Sequence, residues 1–117
     1  YTHHYGDLNI DHKITHKAVM TICRPLPDFS VKEIYTFEVM SSTEWNSPGQ
    51  CAFMPNYYVD ISQYLEVKIS ALKAYNIEMK HPPHSRSIEH LHFLAKHRGH
   101  SIGVDSAEAF MLIRFCR

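Results

Sequence analysis

The chain has 117 residues, which is enough for one compact domain and too few for two of ordinary size. Twelve basic and twelve acidic residues cancel at neutral pH, so the composition provides no long-range field that would attract nucleic acid or an anionic membrane. No apolar run reaches the roughly 20 residues of a transmembrane segment, and three widely spaced cysteines without a Cys-x-x-Cys pair favour a cytoplasmic protein.

The first predicted helix follows a loop at residues 1–11. An N-cap at Asp11 begins the helix, and the prolines at 25 and 27 end it. Apolar residues at helical spacing predict a buried face on this helix, made by Ile14, Ala18, Val19 and Ile22. Residues 33–40 are rich in β-branched and aromatic side chains with apolar alternation, which predicts a strand.

The middle of the chain predicts a site-bordering loop, a short strand and a second helix. Residues 41–56 combine turn formers with bulky side chains, and we expect Trp45 to be a core residue rather than a wall for a sugar ring. A short strand is predicted at 57–59. Asp60 and Gln63 form a capping-box signature for a helix that runs to about residue 75, with a core face made by Ile61, Leu65, Ile69 and Leu72.

The last third predicts another helix and a final strand. Ser85 or Ser87 caps the helix, which Gly99 ends. The core face of this helix is predicted to contain Ile88, Leu91 and Ala95. Residues 107–115 predict a buried strand. Strands that alternate with helices indicate an α/β layered sheet, and there are too few strands for a complete doubly wound domain.

Residues 2–12 are the densest chemical cluster, at the mouth of the first predicted helix. His12 in the first turn is placed to coordinate zinc through one ring nitrogen, while a carboxylate such as Asp7 or Asp11 holds the other. His16 follows at the i+4 spacing of shared metal ligands, but the Glu of His-Glu-x-x-His is missing, so we do not assign it as a ligand. On these residues alone, an N-cap followed by a polar helical turn explains Asp11 and His12 equally well.

The segment from Thr2 to His16 closely resembles the second metal-binding motif of LmbE/PIG-L deacetylases. Further similarities follow in the family's order along nearly the whole chain, at 41–45, 60–62, 68–75, 83–87, 98–99, 103 and 107–110. The resemblance implies a Rossmann-like layered fold. Residues 1–117 would be a single partial domain, the C-terminal portion of that fold, with an incomplete sheet and flanking helices. The opening Tyr-Thr-His-His also looks like a strand end, and we expect a further segment upstream.

The resemblance also implies a zinc cofactor. Family members bind zinc through a histidine and an aspartate of an N-terminal His-x-Asp-Asp motif and the histidine of the second motif, here His12. No His-x-Asp-Asp occurs in this sequence, so the other ligands and the general base would lie in a missing N-terminal half. The intact enzyme would use zinc to activate water and release acetate from an N-acetylated amino sugar, nucleotide- or lipid-linked, in glycan biosynthesis. This chain alone would be inactive.

Two catalytic residues are assigned by the resemblance. Asp11 would orient or charge-tune a neighbouring catalytic group. Asn9 stands where many relatives have a histidine that stabilises the oxyanion, and an amide can donate a hydrogen bond there without carrying the positive charge. His4 is the candidate that would replace that histidine.

Four residues are assigned to substrate binding: Asp7, Asn9, His84 and Arg86. His84 and Arg86 lie in a Pro-His-Ser-Arg-Ser stretch, and the guanidinium of an arginine is suited to bind a phosphate or carboxylate. An equally good interpretation is that both are surface residues at the start of a helix.

A second hypothesis remains open beside the enzyme. The chain would then be a non-catalytic metal- or ligand-binding module that keeps the C-terminal half of the fold and uses His3, His4, His12 or His16 for a structural metal. Under either hypothesis an incomplete sheet exposes strand edges and apolar faces. This favours pairing with the missing half or assembly into a homo-oligomer.

Overall fold

A computed structural model describes residues 1–47 and 49–117, and in this part the chain has a mixed α/β fold. The elements are β1 (Thr2–His3), α1 (Ile10–Ile22), β2 (Glu33–Phe37), a 3-10 turn (Thr43–Trp45), β3 (Tyr57–Asp60), α2 (Leu65–Lys73), α3 (Ile88–His100) and β4 (Ala107–Phe115). The α/β prediction is confirmed at this level. None of the described helices is long and apolar enough to cross a membrane.

The strands form one mixed sheet in the order β1-β2-β4-β3. β1 pairs with β2 in parallel, with α1 as the connection between them, and β2 pairs with β4 in antiparallel. Ile34, Tyr35 and Thr36 of β2 are all buried, as expected for a strand covered on both faces. The ring of Tyr1 stacks on Tyr35 and meets the edge of Phe110, with centroids 5.1 and 5.2 Å apart. These contacts hold the short strand β1 against the sheet.

The chain divides into two compact units. The first comprises Tyr1–Tyr57 and Phe110–Arg117 and contains β1, α1 and β2. The second, Tyr58–Ala109, contains α2 and α3. Its core is formed by apolar side chains that are less than a tenth exposed: Ile61, Leu65, Ile69, Leu91 and Ala95.

Helix α1 begins earlier than the sequence predicts. Asn9, rather than Asp11, is the N-cap, because its side-chain oxygen accepts a hydrogen bond of 2.9 Å from the backbone N–H of Asp11. The helix ends at Ile22, before the two prolines, as predicted.

The predicted buried face of α1 is wrong. Ile14 is 58% and Ile22 70% exposed, and the buried residue of the helix is His16. The reason is that α1 packs against β1, where Nδ1 of His16 donates a hydrogen bond of 2.9 Å to the carbonyl oxygen of His3. A polar contact therefore orients this helix.

Helix α2 begins at Leu65, so the predicted start at Asp60 is wrong. It ends at Lys73, two residues before the predicted end near residue 75. The Asp60 carboxylate instead accepts hydrogen bonds from the backbone N–H and the hydroxyl of Ser62, which forms a local turn before the helix. The core positions predicted for this segment at Ile61, Leu65 and Ile69 are confirmed, whereas Leu72 is only half-buried.

Helix α3 follows its predicted start. The hydroxyl oxygen of Ser87 accepts a hydrogen bond of 3.1 Å from the N–H of His90, and Leu91 and Ala95 are buried. The predicted end is wrong, because Gly99 lies inside the helix. A Cβ at this position would come within 2.6 Å of Cα of Ser106, so the glycine allows the close approach of the following segment.

The remaining predictions concern the sheet and the central loop. The final strand at 107–115 is confirmed, and β2 is shorter than predicted because it ends at Phe37. The predicted loop at 41–56 includes Pro48, which lies outside the described residues. Trp45 is 51% exposed, so its predicted core position is wrong.

Candidate functional site

The candidate site begins with a buried carboxylate in the loop between β1 and α1. Asp7 has no exposed surface. Its Oδ1 accepts hydrogen bonds from the backbone N–H of Asn9, at 2.9 Å, and from the hydroxyl of Ser42, while its Oδ2 accepts one from the hydroxyl of Thr43, at 2.8 Å. The carboxylate therefore ties this loop to the turn that follows β2.

These hydrogen bonds decide the charge of Asp7. Burial by itself raises the pKa of the carboxyl, but donors from Ser42, Asn9 and Thr43, together with His12, outweigh it and hold the pKa below the usual 3.8. Asp7 is therefore a buried negative charge at neutral pH, compensated by oriented donors.

His12, in the first turn of α1, lies next to this charge. Its Nδ1 is 3.2 Å from Oδ1 of Asp7, within ion-pair distance, although the ring is not aligned for a good hydrogen bond. The ring of His12 also stacks on that of His3, with centroids 4.0 Å apart and an angle of 19° between the planes. One edge and one face of the imidazole are therefore held, and Nε2 is the nitrogen that is turned away from Asp7.

His3, the other ring of this stacked pair, is harder to protonate than a free histidine. Burial, and then the nearby His12, lower the pKa of His3 below its usual 6.5, and the negative charge of Asp7 only partly opposes them. The ring of His3 is therefore neutral at neutral pH. The backbone carbonyl of His3 accepts the hydrogen bond from His16, so a third histidine supports the pair.

His4, a predicted catalytic residue, is fully buried. Its Nε2 donates a hydrogen bond of 2.7 Å to the carbonyl oxygen of Cys51, and its Nδ1 has no hydrogen-bond partner among the described residues. Gly6 makes this contact possible, because a Cβ there would lie 2.3 Å from the same carbonyl oxygen. In this arrangement His4 fastens the loop.

The structure brings the predicted residues of the N-terminal segment together in the first unit. Asp11 is exposed in the first turn of α1, and Asn9 caps the same helix. Of the two carboxylates that the sequence offers as neighbours of His12, Asp7 is the one in contact with it. Asp7 is held by protein donors on both oxygens.

The other two predicted substrate-binding residues belong to the second unit, Tyr58–Ala109. Nδ1 of His84 accepts a hydrogen bond of 2.9 Å from the backbone N–H of Arg86. The guanidinium of Arg86 pairs with Glu78, with a distance of 2.8 Å between Nη1 and Oε2. Both residues thus shape the turn that precedes α3.

Sequence reasoning missed the roles of Ser42 and Thr43, which lie 35 and 36 positions from Asp7. A Ser-Ser-Thr run signals a turn, and nothing in it indicates which distant carboxylate its hydroxyls bind. The carbonyl partner of His4 is a backbone atom, for which the sequence has no signal at all.

Within residues 1–47 and 49–117, no group of three or more His, Cys, Asp or Glu side chains is placed to hold a metal ion. Catalytic zinc sites use three protein ligands and structural sites four, so the described residues provide at most part of such a site. Comparison with known proteins found no protein-family model that matches this chain and no curated protein that matches it.

Proposed function

We propose that the chain is the C-terminal portion of a zinc-dependent de-N-acetylase of the LmbE/PIG-L type. An N-terminal half would complete its Rossmann-like fold, and the substrate would be an N-acetylated amino sugar. The observation that carries the proposal is the position of His12 beside the buried charge of Asp7. Metal-binding histidines commonly direct their second ring nitrogen to a carboxylate, which fixes the orientation of the ring.

His12 fits the role of a zinc ligand. Its Nδ1 is buried, faces Asp7 and lacks a well-formed hydrogen bond, which leaves Nε2 as the atom that would bind the metal. The remaining ligands would come from outside this chain. The zinc would lower the pKa of a bound water and polarise the acetamide carbonyl, which is the chemistry of amide hydrolysis.

Asn9 is the better candidate of the two for the oxyanion donor. Its side-chain oxygen caps α1, while its side-chain nitrogen has no hydrogen-bond partner in the described chain and can donate to a developing negative charge. The Nε2 of His4 is already engaged by Cys51. Asp11, exposed in the same turn, would orient a catalytic group from the N-terminal half.

The proposal is tested in the complete protein that contains this chain. Zinc content and acetate release from N-acetylglucosamine derivatives are measured for the wild type and for His12→Ala. Loss of zinc together with loss of acetate release is expected. Asp7→Asn, which keeps the ligand and removes its carboxylate partner, should weaken zinc binding by about 10–100-fold.

His100→Ala is the matched control, because His100 is exposed in the last turn of α3. It should leave both measurements unchanged. Unchanged zinc content and rate in His12→Ala would contradict the proposal. If the wild type binds zinc through His12 and releases no acetate, the chain belongs to a non-catalytic metal-binding module instead.

A further inference from the structure

The second unit contains a pocket lined by residues between Lys73 and Glu89. It has a volume of about 420 Å³ and lies where the C-terminal end of α2 and the first turn of α3 meet the loop at residues 76–82. Pockets that hold small organic ligands measure roughly 300–1,000 Å³. The size therefore suits a small molecule.

The pocket combines an apolar wall with two lysines. Met79, Pro82 and Ile88 contribute the apolar surface, and Lys73 and Lys80 contribute the charge. Neither ammonium group forms an ion pair within the described chain. Glu78, the carboxylate nearest to Lys80 in sequence, is taken by Arg86, at 2.8 Å. Positive charge that is not taken up by an ion pair of the described chain thus lies beside apolar surface.

The loop that carries much of this wall is held in place by its own hydrogen bonds. The backbone N–H of Lys80 donates to the carbonyl oxygen of Arg86 at 2.9 Å, and that of Met79 donates to the carbonyl oxygen of Tyr75 at 3.2 Å. The ion pair of Arg86 with Glu78 adds a side-chain contact. Binding would therefore require little further ordering of the backbone, which is a cost that weakens many ligand sites.

Glu89, in the first turn of α3, is the acidic residue of the lining. Two lysines and one glutamate leave the lining with a net positive charge, which attracts anions. The lining thus favours anionic ligands over neutral ones.

We propose that this pocket binds a small organic anion, with a carboxylate or phosphate group at Lys73 and Lys80 and an apolar body against Met79, Pro82 and Ile88. Lysine ammonium groups bind such anions as point charges. The site is independent of the proposed zinc chemistry, because it involves none of the residues of the first unit.

Benzoate is the probe, titrated into the complete protein that contains this chain and followed by backbone amide NMR. Saturable shifts confined to residues 73–89 are expected, whereas benzyl alcohol, which lacks the charge, should bind about tenfold more weakly or not at all. The double variant Lys73→Gln, Lys80→Gln should weaken benzoate binding by about tenfold or more. All of these side chains are on the surface, so the spectrum elsewhere should stay that of the wild type.

The matched control is Lys17→Gln, Lys32→Gln, which removes two exposed lysines of the first unit. It should leave benzoate binding unchanged. Equal weakening in both double variants, or no saturable shifts at residues 73–89, would overturn the proposal.

Glu89→Gln tests the contribution of the lining's charge. The variant removes a carboxylate and raises the net positive charge of the lining, so benzoate should bind more tightly to it than to the wild type. Unchanged or weaker binding of benzoate to Glu89→Gln would contradict the proposal.

Discussion

Nδ1 of His12 lies 3.2 Å from Oδ1 of Asp7, a carboxylate with no exposed surface. The same carboxylate accepts hydrogen bonds from Asn9, Ser42 and Thr43. It therefore has two separable effects. It positions a histidine, and it stabilises the loop before α1 whether or not a metal is bound.

The stabilising effect is tested by Asp7→Asn. An asparagine keeps the shape but replaces one acceptor oxygen with a donor, which would face hydroxyl or N–H groups in the same buried space. We expect the free energy of unfolding to fall by about 2–4 kcal/mol. Urea denaturation of the two proteins measures the difference. Asp28→Asn is the control, since Asp28 is exposed and has a φ of 67° that asparagine also tolerates, and it should change stability by less than about 0.5 kcal/mol.

The charge of Asp7 is tested by the pH dependence of the free energy of unfolding. The pKa of Asp7 is lower in the folded protein than its usual 3.8. As the pH falls below that usual value, the unfolded chain takes up the proton first, and the stabilisation is lost as the pH passes through the folded pKa. The wild type should therefore lose stability more steeply with acid than Asp7→Asn. If the free energy of unfolding of the two proteins falls equally steeply below about pH 4, the charge of Asp7 does not stabilise the fold.

The titration of His3 is an independent test of how His3, His12 and Asp7 are arranged. In the wild type its imidazole should titrate below pH 6.5, because burial and the nearby His12 oppose its protonation. The unfolded chain takes up this proton at higher pH than the folded one, so folding loses stability as the pH falls from 6.5 to the folded pKa. Proton NMR of the ring measures the midpoint.

Removing the charge of Asp7 should lower the pKa of His3 further, because that charge is the part of its surroundings that favours the protonated ring. Asp28→Asn should not move it. A midpoint at or above 6.5 in the wild type, or an upward shift in Asp7→Asn, would contradict the stacked and buried arrangement of His3 and His12.

Much of the fold could be predicted because it depends on local pattern. The strand at 107–115 and the cap at Ser87 follow from neighbouring residues, and the structure has both. The buried face of α1 could not be predicted in this way. Periodicity selects the isoleucines, whereas the packing of α1 on β1 selects His16. Which face a helix buries depends on its partner, and the pattern within the helix does not contain that partner.

The candidate site could likewise be predicted where it depends on neighbouring residues, and not where it depends on distant ones. Asp7, Asn9 and His12 lie within one short segment, and their chemistry is visible in the sequence. Whether Asp7 or Asp11 accompanies His12 depends on where the loop folds, and the hydroxyls that hold Asp7 come from a turn after β2. Long-range hydrogen bonds of this kind have no sequence periodicity from which they could be predicted.

The exposed face of α1 leads to a further prediction. Ile14→Lys should change the free energy of unfolding by less than about 0.5 kcal/mol, because Ile14 is 58% exposed. Leu91→Ala should lower it by about 2–5 kcal/mol, because Leu91 is 3% exposed and its loss leaves a cavity. Urea denaturation of both variants shows whether Ile14 is exposed, as in the structure, or buried, as the apolar periodicity of the sequence predicts. A loss in Ile14→Lys comparable to that in Leu91→Ala would mean that α1 buries its isoleucines.

The last prediction concerns Gly99, where helix propensity and packing oppose each other. Alanine is favoured over glycine inside a helix by about 1 kcal/mol, so propensity alone predicts that Gly99→Ala stabilises the protein. The added Cβ would, however, lie 2.6 and 2.7 Å from backbone atoms of Ser106, which can give way only if the segment before β4 moves. We expect a net loss of about 1–3 kcal/mol, measured by urea denaturation. Ser70→Ala, on the exposed side of α2, reports propensity without the clash and should be neutral or slightly stabilising. If Gly99→Ala gains stability as Ser70→Ala does, the close approach of α3 to Ser106 is not present in solution.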